Sequence, residues 1–139
     1  MAEKISLDVV TPDKQLVSEM VDIVVATGSE GEFGVLPGHI PFLATLQPGE
    51  LHYRQGNIVT YLAVSGGFAE VSGDKVTILA EAAELARDID LERAMRARER
   101  AHQRLEQARR DEHIDHVRSE AALRRAMARI RLAEKMRQF

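Results

Sequence analysis

Cysteine and tryptophan are both absent from the 139 residues, and aromatic residues make up only 4%. Without cysteine there is no disulfide scaffold and no thiolate zinc site, which fits a reducing compartment. With so few aromatics, a core must be built from valine, isoleucine, leucine and alanine; the 45% hydrophobic content is ample for one. No apolar run approaches the ~18 residues needed to cross a bilayer. The chain is therefore expected not to span a membrane, although a peripheral position on a membrane complex stays open. The opening Met1-Ala-Glu-Lys-Ile-Ser6 carries charges where a signal peptide needs its apolar run.

What is present divides in two. Residues 1–84 hold 12 Asp/Glu and 4 Lys/Arg, whereas residues 85–139 hold 10 and 15. The near-neutral total of −3 thus hides an acidic part and a basic part, and such asymmetry points to two structural units with different partners. The junction is the stretch Glu84-Leu-Ala-Arg-Asp-Ile-Asp-Leu-Glu-Arg-Ala94.

Before the junction, Ile5, Leu7 and Val9 alternate as in a half-buried strand, and Thr11 to Lys14 reads as a turn. Val21, Ile23 and Val25 alternate again; Thr27 to His39, with four glycines and a proline, reads as loop and tight turns. Ile40 to Leu46 is a short strand. Gln55-Gly-Asn57 and Ser72-Gly-Asp74 each mark a hairpin, between Glu50–Arg54 and Ile58–Val64 and between Phe68–Val71 and Lys75–Ala80. Short strands with turn signals every ~8–12 residues predict an antiparallel sandwich or flattened barrel over residues 1–84. The Gly66-Gly67 pair is expected to permit a tight bend within it.

After the junction the period is helical. Asp88 or Asp90 caps a first helix with Leu91, Met95, Ala101, Leu105 and Ala108 on one side. A charged break at 109–113 precedes a second helix with a stripe of Val117, Ala121, Ala122, Ala126, Ile130 and Ala133. Residues 85–139 thus form an antiparallel hairpin, giving an α+β chain overall. Alanine seams bury little area, and the 14 arginines here repel one another, so the arm is expected to fold readily, dock weakly and be able to exchange partners.

Several chemical motifs are weak. Gly28, Gly31, Gly34 and Gly38 lack the Lys-Ser/Thr and following helix of a phosphate loop and read as turns. Glu30 and Glu32 lie in a glycine loop without a nucleophile, as solvated acids or as a contact for a basic partner. His113 and His116 lie about one turn apart but lack a second half-site, so no metal is expected. Ser65 has no nucleophile-elbow context, and no catalytic residue is expected. The arginine helices interleave acids, such as Glu99 beside Arg96, and carry no stacking platform, which argues against nucleic acid. Arg125 and Arg129, one turn apart, would return toward Asp90 in an antiparallel hairpin and with Arg93 could hold a polyphosphate, with Glu84 and Asp90 at the junction; ordinary salt bridges within the helices are the alternative.

The blocks Leu7-Asp-Val-Val-Thr-Pro12, Gly28-Ser-Glu-Gly-Glu-Phe-Gly-Val-Leu-Pro-Gly-His-Ile-Pro41, Ser65-Gly-Gly-Phe-Ala-Glu-Val71, Val76-Thr-Ile-Leu-Ala80 and Ile89-Asp-Leu-Glu-Arg-Ala94 carry an end-to-end resemblance. The chain resembles the epsilon subunits of bacterial F-type ATP synthases, related to chloroplast epsilon and mitochondrial delta. That resemblance implies an N-terminal sandwich of about ten strands and a helical hairpin. It also implies a non-enzymatic rotor subunit, peripheral on the cytoplasmic face of the plasma membrane, that couples rotation to proton flow. The sandwich would contact the gamma subunit, at His39 among other positions, and the c-subunit ring around Glu30 and Glu32. The arm would reach the alpha and beta subunits when extended and block ATP hydrolysis. In some members the folded arm binds ATP as a regulatory ligand rather than a cofactor. The matching positions here are Glu84, Ile89, Asp90, Arg93, Ala94, Arg125 and Arg129, with Arg98 or Arg100 as candidates for a further basic contact. A stand-alone sandwich adaptor with a nucleic-acid-binding arm is the competing reading.

Overall fold

The computed structural model describes residues 3–110 and 115–137. Its strands are β1 (Ile5–Val10), β2 (Gln15–Val21), β3 (Ile23–Gly28), β4 (Gly31–Val35) and β5 (Phe42–Leu46). There follow β6 (Gly49–Gln55), β7 (Ile58–Val64), β8 (Gly67–Ser72), β9 (Lys75–Ala80) and the short β10 (Ala83–Leu85). One 3-10 turn at Ala86–Asp88 leads into α1 (Leu91–Ala108), and α2 runs over His116–Arg137.

The strand order is β10-β7-β6-β3-β5-β8-β9-β1-β2, with β4 paired to β3. A single residue pair, Gly28 with Leu46, joins β3 to β5. The sheet therefore folds over at that link, and its two halves face each other as a sandwich. Val24, Leu51 and Leu62 from one half and Leu7, Val71 and Ile78 from the other fill one core. Each such side chain contributes roughly 1.5–3 kcal/mol by leaving water. The expected sandwich is present, with one departure from antiparallel pairing: β1 runs parallel to β9.

Three local readings need correction. The Thr27–His39 segment is not all loop, because Gly31–Val35 forms β4 against β3. The glycines do not prevent this pairing; at Gly28, where β3 enters the turn, a Cβ would lie 3.1 Å from the Gly31 carbonyl oxygen. A further strand, β2, precedes the 21–26 run, and the phase breaks at Asp22. Asp22 donates its N–H to the Arg54 carbonyl, and its carboxylate accepts from Gly56 N–H at 2.7 Å. The bend turns Val21, Val24 and Ala26 inward, leaving Ile23 and Val25 only half buried.

The helical stripes shift as well. On α1 the buried residues are Ala94 and Ala101, while Met95 is exposed. On α2, Val117 is 76% exposed, but Ala128 and Leu132 join Ala126, Ile130 and Ala133 among the buried residues. A helix that packs on two neighbours has no single apolar stripe: α2 lies against both α1 and the β6–β7 face. Asp90 caps α1 by accepting Arg93 N–H at 3.1 Å, and Asp115 accepts Arg118 N–H at 3.0 Å at the start of α2.

Gly67 has φ 138°, and a Cβ there would lie 2.0 Å from the Leu79 carbonyl oxygen. Gly67→Ala is accordingly expected to destabilise the sandwich by about 2–4 kcal/mol in denaturant unfolding. Asp8 accepts from Lys75 at 3.1 Å, and this bond, helped by one from Ser18, holds its carboxyl below the usual value of 3.8. A depressed folded-state value means the added stability is full above 3.8 and is lost as pH falls through the lower folded value. Asp8→Asn should thus cost roughly 0.5–1 kcal/mol at neutral pH, with the deficit shrinking in acid unfolding curves.

Candidate functional site

A cleft of about 480 Å³ opens between the helical arm and the edge of the sandwich. That volume is in the range that small-molecule sites occupy. One wall is Ala63, Val64 and Ser65 at the end of β7, with Ala82, Ala83 and Glu84 beside them. Ser65 ties this wall together: its hydroxyl accepts from Ala82 N–H at 2.8 Å and donates to the Ala82 carbonyl at 3.1 Å. From α1 come Arg93, Ala97, Arg100, Ala101 and Arg104; from α2 come Ala122, Arg125, Ala126 and Arg129.

Helical spacing explains this selection. Positions 93, 97, 100, 101 and 104 repeat at three and four residues along one face of α1, and 122, 125, 126 and 129 do the same on α2. Alanine occupies the places where the helices approach, so the space between them stays open. Arginine stands beside it on both helices. Five guanidinium groups and one carboxylate line the cleft. Guanidinium does not release its proton in water, so the excess positive charge is permanent.

Arg129 pairs with Glu84. Among the described residues, Arg93, Arg100, Arg104 and Arg125 make no ion pair, and the pairs within the helices are Arg109 with Glu106 and His116 with Glu120. Salt bridges within the helices, the alternative the sequence left open, thus do not account for the arginines facing the cleft. Guanidinium forks aimed into one space suit a multiply charged anion carrying several oxygens, such as a phosphate chain.

Of the seven positions singled out at the junction and on α2, the cleft brings together Glu84, Arg93, Arg125 and Arg129. Ile89 instead packs under α2 beside Leu132, and Ala94 is fully buried. Asp90 is exposed and serves as the α1 cap. Arg100 is in the cleft; Arg98 does not line it. Arg104 was not anticipated, although its spacing four residues beyond Arg100 was the available signal.

The beta-sandwich domain of the ATP synthase delta/epsilon chain matches residues 4–86, and the long alpha-helix domain of the same chain matches residues 87–134. The chain belongs to the ATP synthase delta/epsilon family. A relative from Syntrophobacter fumaroxidans, an ATP synthase epsilon chain, is 58% identical over 97% of this chain and 99% of its own. One of the same name from Nitratidesulfovibrio vulgaris is 55% identical over 95% and 97%. A chain in the cryo-EM structure of the Euglena gracilis mitochondrial ATP synthase (OSCP/F1/c-ring) superposes with TM-score 0.78 at 27% identity, covering 98% of this chain and 82% of that one.

The remaining candidates on this delta/epsilon-family chain lie apart. Glu30 is exposed in the β3–β4 turn and Glu32 is exposed beside it, paired in register with Thr27. His39 sits in the 36–41 loop. Because β4 runs antiparallel to β3 and returns to the level of Val24, that loop is at the opposite end of the strands from Glu30. The His39 ring lies tilted against Phe42, centroids 5.1 Å apart, and its loop also carries the exposed Leu36 and Ile40. An apolar patch that sequence reading missed lies outward on β5, β8 and β9: Phe68 pairs with Leu79, and Leu43 lies diagonal to Phe68 across β5–β8. Alternation within each strand was its signal. His113 lies outside the described residues; among those described no metal-binding cluster occurs, and no helix is long and apolar enough to cross a membrane.

Since Asp90 caps α1, Asp90→Ala is expected to cost about 1 kcal/mol in unfolding, whereas Asp90→Ser should retain most of the stability. Parallel denaturant titrations of the two variants test this.

Proposed function

We propose that this chain is a non-catalytic central-stalk subunit of a proton-translocating F-type ATP synthase whose helical arm restrains ATP hydrolysis. The sandwich rides on the rotor. Its outward patch of Leu43, Phe68 and Leu79 and the adjacent loop with His39 meet the gamma subunit, an apolar surface being suited to a permanent partner. Glu30 and Glu32, at the other end of the strands, meet polar loops of the c-subunit ring. The subunit is peripheral, on the cytoplasmic face of the bacterial plasma membrane.

The arm carries the regulation. Folded, it holds ATP in the arginine cleft as a regulatory ligand; extended along gamma, it presents the same arginines to acidic segments among the alpha and beta subunits. ATP stabilises the folded arm because only that form offers the complete site, and a ligand shifts an equilibrium only by such differential binding. The observation that carries this reading is the convergence of five guanidinium groups, four of them without an ion pair among the described residues, on one cleft between an alanine-seamed arm and the sandwich. Glu84, the one carboxylate among the described residues lining the cleft, is the acceptor this reading assigns to a base. The arginines show no aromatic platform for single-stranded nucleic acid, which disfavours the adaptor reading.

Calorimetric titration of ATP into the isolated protein tests the site. Saturable binding is expected, weakened about 10- to 100-fold by Arg125→Ala, the yield of one charge-assisted contact. Asp90→Ser, which keeps the helix cap, separates a ligand role of Asp90 from a structural one. In reassembled complexes Arg125→Ala should also relieve inhibition of hydrolysis. Lost ATP binding with unchanged inhibition would refute the sharing of one arginine set by two anionic partners.

A further inference from the structure

Cross-strand register places Glu84 of β10, Ala63 of β7 and Glu50 of β6 in one row across the outer face of the sandwich. Over that row lies α2. Arg129 pairs with Glu84, and Lys135 Nζ lies 3.6 Å from Glu50 Oε1. Between them Leu132, 2% exposed, packs with Ala63, Ala86, Tyr61 and Ile89. The match is geometric. Three residues of helix rise ~4.5 Å, and neighbouring strands lie ~4.8 Å apart, so each step of three along α2 advances one strand. Each step also rotates the side chain by about 60°, leaving Leu132 central and the two long basic side chains reaching down on either flank.

The Lys135 end is built further. Its ammonium lies 4.1 Å from the centroid of the Tyr61 ring, whose neighbour His52 places Nδ1 3.6 Å from the same Glu50 carboxylate. Glu50, Tyr61 and Lys135 do not line the arginine cleft, whereas Glu84 and Arg129 do.

From this register we infer that Arg129–Leu132–Lys135 on α2 and Glu84–Ala63–Glu50 on the sandwich form a three-point clasp. Its Lys135 end fastens the arm independently of any ligand. The inference rests on the reading of an arm that can leave the sandwich, and it assigns where that departure is resisted. An anion entering the cleft competes with Glu84 for Arg129 and so draws on one point of the clasp. Leu132 and Lys135 keep the arm in place while it does so. The clasp thereby lets the cleft accept a ligand without undocking the helix that supplies it.

Amide hydrogen exchange on the full chain tests this, because a helix released from its packing frays readily. Lys135→Glu and Glu50→Lys are each expected to speed exchange of amides in 126–135 by roughly three- to tenfold, with protection of the sandwich core unchanged. The double variant, with the charges exchanged, should return to about twofold of the parent. Faster exchange in both single variants without rescue in the double overturns the pairing. No change for Lys135→Glu alongside acceleration by Leu132→Ala overturns the Lys135 fastening and leaves a detachable arm. No change in any variant overturns both.

Discussion

Leu62, Ala63 and Val64 are buried in succession on β7, and most of the architecture depends on that double burial. A strand covered on one face alternates; one covered on both does not. Leu62 and Val64 belong to the sandwich core, whereas Ala63 belongs to the small cluster under Leu132 of α2. The same three residues pair with β10, which leads into α1. The core, the junction and the docking surface of the arm therefore meet on one short segment. Alanine at 63 allows close approach of the helix while giving little hydrophobic energy, so the arm is held with limited apolar area.

Charge fills the gap that small side chains leave. The sandwich part is acidic and the arm basic, and the contacts between them include Arg129 with Glu84 and Lys135 with Glu50. Pairs this exposed yield little individually. Their value lies in register: only one placement of α2 meets both carboxylates with Leu132 between them. The unpaired cleft arginines oppose docking by mutual repulsion, and an anion would relieve it. Arm stability would thus be coupled to any anion held in the cleft through one set of fixed charges.

Much of the sandwich was legible because its signals are local. Ile5, Leu7 and Val9 alternate and are fully buried, and both glycine-centred hairpins lie where Gly56 and Gly73, each with positive φ, let the chain turn. The failures have physical causes. Glycines in β4 suppressed its strand signal, yet pairing with β3 outweighs weak propensity. Asp22 resets the phase between β2 and β3 through bonds to residues at Arg54 and Gly56, beyond any local window. On α1 Ala101 is buried as expected, but Ala94 joins it in place of Met95. The larger apolar side chains there, Leu91, Met95 and Leu105, are half buried or exposed.

By itself, the sequence determined an acidic β-sandwich followed by a basic pair of helices, a cap at Asp88 or Asp90, and the placement of Arg125 and Arg129 one turn apart. These follow from turn chemistry, periodicity and charge, which act over a few residues. Only the tertiary structure decided that Arg100 and Arg104 share the cleft while Ile89, Asp90 and Ala94 lie outside its lining, and that Lys135 rests on Glu50. Those outcomes depend on which face α2 turns toward a sheet remote in sequence. A helix with apolar positions on two sides and arginines around it does not encode that rotation alone; the row Glu84–Ala63–Glu50, assembled by three paired strands, selects it.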